Sequence, residues 1–385
     1  MEKSIKIRNS SIESLKLLGI LLIVISHVVK TLGETNVDPS YTYPIDLTLT
    51  TTDIQHLIVS MFQYSGKLGN TIFFVCSAWF LLRDDTVNKR KIFTMLVDIW
   101  VVSVIVLCIV KVFDTARIGG GYTFRALLPT YSENNWYLNC YLVFYAIHPF
   151  LNLLIKKINQ RALLRFVLIS VPLYYVVAFS GIIPKYLFDA GSTFFASYLI
   201  TWIVIYFLIA YMSLYAPVLW SNKRLNSILV IVGFFGNYGL IALSNFLGLH
   251  IAVFEKSLQL WNTYYNPFML ALVLGLFNLL RQIDFRNNVI NYISKLSLFI
   301  YIIHENFLLR TIYRPKLWQY IYMEGQHHIL ACVGILTVIV FLFGLICSIV
   351  YYESVHKLVV KTCNKFYPRI ALLWRNLENK AMQLH

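Results

Sequence analysis

An apolar stretch near the N-terminus carries ionisable side chains that a hydrocarbon environment tolerates only at a cost. It runs Ser11-Ile12-Glu13-Ser14-Leu15-Lys16, then ten residues to His27. At about 100° per residue, Lys16 and His27 differ by some 20° around a helix axis, and Glu13 lies within about 60° of both. The rise from Lys16 to His27 is about 16 Å, roughly half of a ~30 Å hydrocarbon core. A carboxylate, an ammonium and an imidazole therefore share one face at two depths. Histidine at such a place suits a general base or a nucleophile. Lysine near the headgroups suits an anionic ligand. Each also has an ordinary structural explanation: Lys16 can snorkel to the interface, Glu13 and Lys16 can form a plain i,i+3 ion pair, and His27 can bond a neighbouring helix.

A second histidine lies at matching depth in a later apolar segment, Ile293 to Asn306, with Tyr301 one turn before His304. That segment runs in the same direction as the first, so the two can face one polar pocket. His148, just before Pro149, reads better as structural. Gly69, Cys76, Ser77 and Ala78 are small residues that permit close helix approach, and Ser77 among them carries a hydroxyl. Arg83 leaves the same segment beside other basic residues, where it can meet an anionic ligand or simply mark a basic loop. Asn135 and Trp136 open another apolar run, a composition that suits an aromatic belt and, less directly, sugar hydroxyls and ring faces.

The elements that must hold these residues are apolar and many. The 385 residues are 58% hydrophobic and 13% charged, about half the charge of a soluble chain. Blocks of roughly 18–25 apolar residues, long enough to cross a bilayer, are expected at 13–32, 67–82, 92–113, 136–155, 163–180, 194–215, 226–247, 261–280, 289–311 and 329–352. The fold class is thus all-α, a multi-pass membrane protein of about ten transmembrane helices spanning residues 1–355, followed by a basic tail, 356–385. The stretch Ile54 to Tyr64 is amphipathic and reads as lying on the outer surface. The first apolar run is span-length with no small-residue cleavage site after it, so it reads as a retained anchor. The net charge of +15 sorts by loop: one side collects Arg83, Lys89, Arg90, Lys91, Lys156, Lys157, Arg281, Arg286 and the tail. By the positive-inside rule that side is cytoplasmic, with both termini, in a cell membrane. The charge needs no nucleic-acid partner; it suits the lipid bilayer and its anionic headgroups. The six cysteines show no CxxC and no metal-ligand spacing, so they read as packing residues and no metal site is expected.

Four segments together resemble the acyltransferase-3 family of integral membrane O-acyltransferases. Arg8 through Lys16, ten residues and His27 resemble its basic-x10-His signature. Phe73-Phe74-Val75-Cys76-Ser77-Ala78 resembles its Phe-Phe-x-x-Ser-Gly stretch. Asn135-Trp136-Tyr137-Leu138 resembles its Trp-(Tyr/Phe)-Leu opening of a later span, and Tyr301-Ile302-Ile303-His304 its Tyr-x-x-His. The order is right and the coverage runs from about residue 8 to 355. Glu13 and Lys16 stand where the family often has Asp and Arg, and Ala78 replaces a glycine. The resemblance implies transfer of an acyl group, usually acetyl, from an acyl-CoA to a hydroxyl of an extracytoplasmic glycan or lipid-linked oligosaccharide, as in bacterial cell-surface polysaccharide O-acetylation. Acetyl-CoA would be a substrate, with no tightly bound cofactor. His27 is then the catalytic residue. Lys16, Glu13 and Arg83 would bind the donor, and Ser77, Asn135, Trp136, Tyr301 and His304 would line the acceptor pocket. A transporter or flippase for a polysaccharide precursor would use the same intramembrane charges. Transporters often carry paired broken repeats, and none is read here.

Overall fold

The computed structural model describes residues 9–31, 53–113, 118–130, 135–188, 198–251, 263–264, 266–324 and 328–382. Glu34, Asp38 and Asp46 of the long loop, and Lys3, Lys6 and Arg8 before the first span, lie outside these. Every regular element among the described residues is helical: α1 Ser10–Lys30, α2 Ile54–Leu81, α3 Lys89–Phe113, α4 Gly120–Leu127, α5 Trp136–Lys157, α6 Gln160–Phe188, α7 Tyr198–Tyr215, α8 Pro217–Ser221, α9 Lys223–His250, α10 Pro267–Leu280, α11 Asn288–Lys295, α12 Ser297–His304, α13 Arg314–Glu324, α14 Ile329–Tyr351 and α15 Lys357–Met382. Single π-helical turns precede α13, at Leu309–Tyr313, and α15, at Tyr352–His356. The starts are set by side chains that satisfy the free N–H groups of a first turn. Asn9 accepts from the Ser11 N–H at 2.8 Å, Asp53 from Gln55 at 2.8 Å, and Asn266 from Phe268 at 3.0 Å.

Seven of the described helices are long and apolar enough to cross a membrane: α1, α3, α5, α6, α7, α9 and α14. The expected ten is not reproduced, for three physical reasons. The second expected span is α2, but Ser65, Lys67, Asn70 and Thr71 dilute its apolar character, and Ile54–Tyr64 continues it as one 28-residue helix rather than lying apart. The eighth is α10, whose 14 residues rise only about 21 Å. The ninth is broken: α11 stops at Lys295, α12 stops at His304, and Leu296 and Glu305 sit between and after them near ψ 0°. No proline or glycine marks either stop, so a uniformly apolar pattern reads as continuous.

Two glycine contacts set the spacing of the bundle. A Cβ on Gly69 of α2 would lie 2.3 Å from the Gly19 carbonyl oxygen of α1, so these helices touch backbone to backbone. A Cβ on Gly233 of α9 would lie 2.4 Å from the Leu272 nitrogen of α10. The α2, α5 and α7 interface is filled by aromatic rings: Phe74 stacks on Trp202 at 4.7 Å and meets Phe144 edge-on at 5.1 Å. At the basic end, Asp98 of α3 accepts from the Tyr351 hydroxyl at 2.7 Å and contacts His356 Nδ1 at 3.0 Å. This fixes α14 and the turn after it against α3.

Candidate active site

The break in the ninth span makes the centre of the site. α12 ends at His304, and Glu305 is its C-cap, with its N–H donating to the Tyr301 carbonyl at 3.1 Å and its carboxylate beside α1. Glu305 Oε1 lies 3.1 Å from His27 Nδ1, and His304 Nε2 lies 3.1 Å from the same nitrogen. His304 Nδ1 is 2.8 Å from the Ile300 carbonyl. A carbonyl only accepts, so His304 Nδ1 carries a hydrogen, and in the neutral ring its Nε2 is an acceptor. The shared hydrogen then belongs to His27 Nδ1, which donates to His304, while Glu305 Oε1 lies within ion-pair distance of that nitrogen without accepting a hydrogen bond. His27 Nε2 keeps its lone pair. The tautomer follows from the hydrogen bonds, as it must where hydrogens are inferred.

Glu305 and His304 are fully enclosed, with side chains 1% and 0% exposed, whereas His27 retains 15%. A buried carboxylate needs counter-charge and hydrogen bonds. Arg314 Nη2, at the start of α13, lies 2.9 Å from Glu305 Oε1, and Arg310 Nη1 lies 3.4 Å from Oε2. Arg314 also donates to the His304 carbonyl and, at 3.4 Å, to the His27 carbonyl. One guanidinium thus joins the ends of α1 and α12. Sequence reasoning missed Glu305, Arg310 and Arg314. The available signal was an acid directly after His304 in an apolar block, hidden by reading that block as one continuous helix.

At the basic end of α1, Lys16 Nζ lies 3.3 Å from Glu13 Oε1, and the Ser294 hydroxyl donates to Glu13 Oε2 at 2.5 Å. Glu13, buried, holds α11 to α1 and orients Lys16. A cavity of about 250 Å³ runs from there inward, lined by Lys16, Lys91 and Lys295 at one end and by Ser77, Tyr137 and Tyr301 deeper in. The Tyr301 ring centroid is 6.5 Å from that of His27 and 5.7 Å from that of His304. Glu13 and Lys16 of the inferred face therefore line a real space together with Ser77 and Tyr301, while His27 and His304 lie beyond the Tyr301 ring rather than on its wall.

Other expected site residues fall elsewhere. Arg83 does not join: it is exposed, stacked on Trp79 at 3.7 Å, with its guanidinium donating to the Trp79 carbonyl at 2.7 Å. Lys91 and Lys295 occupy the position in the cavity wall that was expected of it. Asn135 is buried and donates to the Pro129 carbonyl at 2.7 Å, so it holds the chain entering α5. Trp136 packs on Tyr198 at 4.6 Å and Tyr264 at 5.7 Å, one ring removed from Tyr137. His148 is buried with both ring nitrogens on backbone carbonyls, of Tyr145 at 2.6 Å and Asp84 at 3.0 Å.

His27, His304 and Glu305 each offer a ligand atom, and these atoms lie within 4.8 Å of one another. Two imidazoles and a carboxylate are a plausible metal donor set. Here the carboxylate already faces Arg310 and Arg314, whose positive charges oppose a cation at that point. The donor set suits a hydrogen-bonded relay better than an ion.

No curated protein and no solved structure shows significant similarity to the chain. A family model described as an acyltransferase domain matches residues 9–353, which takes in α1 with Lys16 and His27, the cavity, and the His304–Glu305 break. The chain belongs to the acyltransferase-3 family of membrane acyltransferases.

Proposed function

We propose that this membrane acyltransferase moves an acyl group, acetyl in the simplest case, from an acyl-CoA to a hydroxyl of an extracytoplasmic glycan or lipid-linked oligosaccharide. The observation that carries the reading is the cavity between Lys16 and Tyr301. Its lysine-lined end suits the anionic nucleotide part of a CoA, and its inner wall of Ser77, Tyr137 and Tyr301 suits the pantetheine arm. The basic end of the bundle is read as cytoplasmic, where acyl-CoA is found. The thioester then reaches His27 from the inside while the acceptor approaches from the other side.

The chemistry follows from the His27 tautomer. Nε2 takes the proton of the acceptor hydroxyl as that oxygen attacks the thioester carbonyl. A C–O bond forms, and the tetrahedral oxyanion collapses with breakage of the C–S bond. The CoA thiolate leaves and receives the proton from His27. The Glu305 carboxylate, 3.1 Å from Nδ1, stabilises the transient imidazolium by its charge, and Arg314 holds Glu305 in place. Tyr301, beside both histidines, is positioned to donate to the oxyanion. The alternative order, with Nε2 attacking the thioester first and carrying the acyl group, uses the same atoms.

The test uses the full-length protein in nanodiscs with radiolabelled acetyl-CoA and a glycan extract from the envelope. Label should pass to the glycan with wild type and fall at least 10²-fold with His27→Ala. Transfer unchanged in the variant would remove His27 from the mechanism. Absence of CoA binding by wild type would leave the cavity without its donor and favour a transport role.

A further inference from the structure

A second space reaches the catalytic cluster from the membrane side. A groove of about 380 Å³ lies between α3 and α14, walled by Ile109, Phe113, Ile339 and Phe343, and it ends on His304 and Arg314. The wall side chains are outward-facing, with Ile109 52% and Phe343 49% exposed, on two helices apolar enough to cross the membrane. The groove therefore opens into hydrocarbon, not water. A further apolar space of about 300 Å³ shares Ile109, Val110, Leu309 and Phe343 with it and continues as far as Val102 on α3. Val102 to Phe113 rises about 16 Å, roughly the depth of one leaflet.

The two spaces differ in chemistry. The lysine-lined cavity touches the cluster at Tyr301, and the groove touches it at His304. One admits an anion from the basic end, and the other admits only an apolar chain from within the bilayer, with a polar end at the histidines. A soluble sugar has no use for such a wall. Resting on the acyl-transfer reading above, we infer that the acceptor hydroxyl is carried on a lipid, and that its hydrocarbon chain lies between α3 and α14 while its glycan head meets His27. The acceptor is thus a lipid-linked glycan, acylated before it is released from its anchor.

The test compares one glycan in two forms, free and attached to a polyprenyl phosphate that bears a photoactivatable diazirine. Full-length protein in nanodiscs receives radiolabelled acetyl-CoA and either form. Ile109→Trp and Ile339→Trp fill the groove at positions already exposed. Val112→Trp, on α3 and 76% exposed but outside the groove, is the control. Donor binding is read separately by calorimetry, and folding by size exclusion. The expected result is at least tenfold faster labelling of the lipid-linked form and diazirine adducts on α3 and α14. Both should be lost in the two groove variants and kept in the control, with donor affinity unchanged throughout. Equal labelling of the free glycan, or adducts spread over the outer surface and indifferent to Ile109→Trp, would overturn the inference while leaving the acyltransferase reading intact. A preference for palmitoyl-CoA over acetyl-CoA that disappears in the groove variants would give the groove to the donor's acyl chain and overturn it too. Failure of wild type to bind acetyl-CoA would overturn the reading on which it rests, and the inference with it.

Discussion

The Glu305 carboxylate lies 3.1 Å from His27 Nδ1 and 2.9 Å from Arg314 Nη2, so replacing it has two effects. Glu305→Gln removes the charge that supports an imidazolium and leaves a buried guanidinium with less compensation. The expected outcome is a fall in kcat on the order of 10²–10⁴-fold, typical of losing the carboxylate that orients a histidine base, with KM for acyl-CoA little changed. Steady-state kinetics that show a KM effect alone would place Glu305 in binding instead. Lys16→Glu acts at the other end of the face. It should raise KM for acyl-CoA by about 10–100-fold, the worth of a hydrogen bond to a charged group, while kcat at saturating donor stays near wild type. A metal role is tested at the same scale. Dialysis against a chelator should leave activity within about twofold of the untreated enzyme, because Arg310 and Arg314 already neutralise Glu305. Activity lost on dialysis and restored by zinc would assign His27, His304 and Glu305 to an ion.

Among the elements, α1 carries both ends of the site and α2 fixes where α1 sits. The Gly19–Gly69 contact leaves no room for a methyl group, since a Cβ at Gly69 would also come within 2.8 Å of Ile23. Gly69→Ala must push the helices apart or shift Ile23. Overpacking of this kind costs about 1–3 kcal/mol, to be read as a lower thermal midpoint in detergent. His27 is about one turn beyond Ile23 on α1, so transfer activity should fall further than the loss of folded protein explains. An unchanged midpoint would mean that α1 and α2 slide freely at this point. The break after His304 is the other decisive feature of an element. The chain leaves α12 at Glu305 and is helical again by Leu309, which brings Arg310 and Arg314 against the Glu305 carboxylate.

For the whole molecule, the distribution of lysine and arginine predicts that the end bearing Lys16, Lys91, Lys295 and α15 faces the cytoplasm. Reporter fusions active only in the cytoplasm should report at both termini, and a fusion between α1 and α2 should be silent. The reverse pattern would invert the route proposed for the donor, since acyl-CoA would meet the groove end first. The proposed scheme joins this orientation to the lysine-lined cavity and the membrane-facing groove, with two substrates converging on His27 from opposite sides.

The sequence by itself determined the membrane class, the all-α content, the sidedness of charge, and the shared face of Glu13, Lys16 and His27. These depend on composition and on the 100° step of a helix, both local properties. It also pointed to Tyr301 and His304, because equal depth in two parallel apolar segments is countable along the chain. The break in the ninth expected span, the place of Arg83 outside the cavity, and the positions of Lys91, Lys295, Glu305 and Arg314 were decided only by the tertiary structure. Their roles depend on which helices meet and on where α12 stops. No local signal marks that stop, because Glu305 is held there by partners from α1 and α13, the first nearly 280 residues away in the chain.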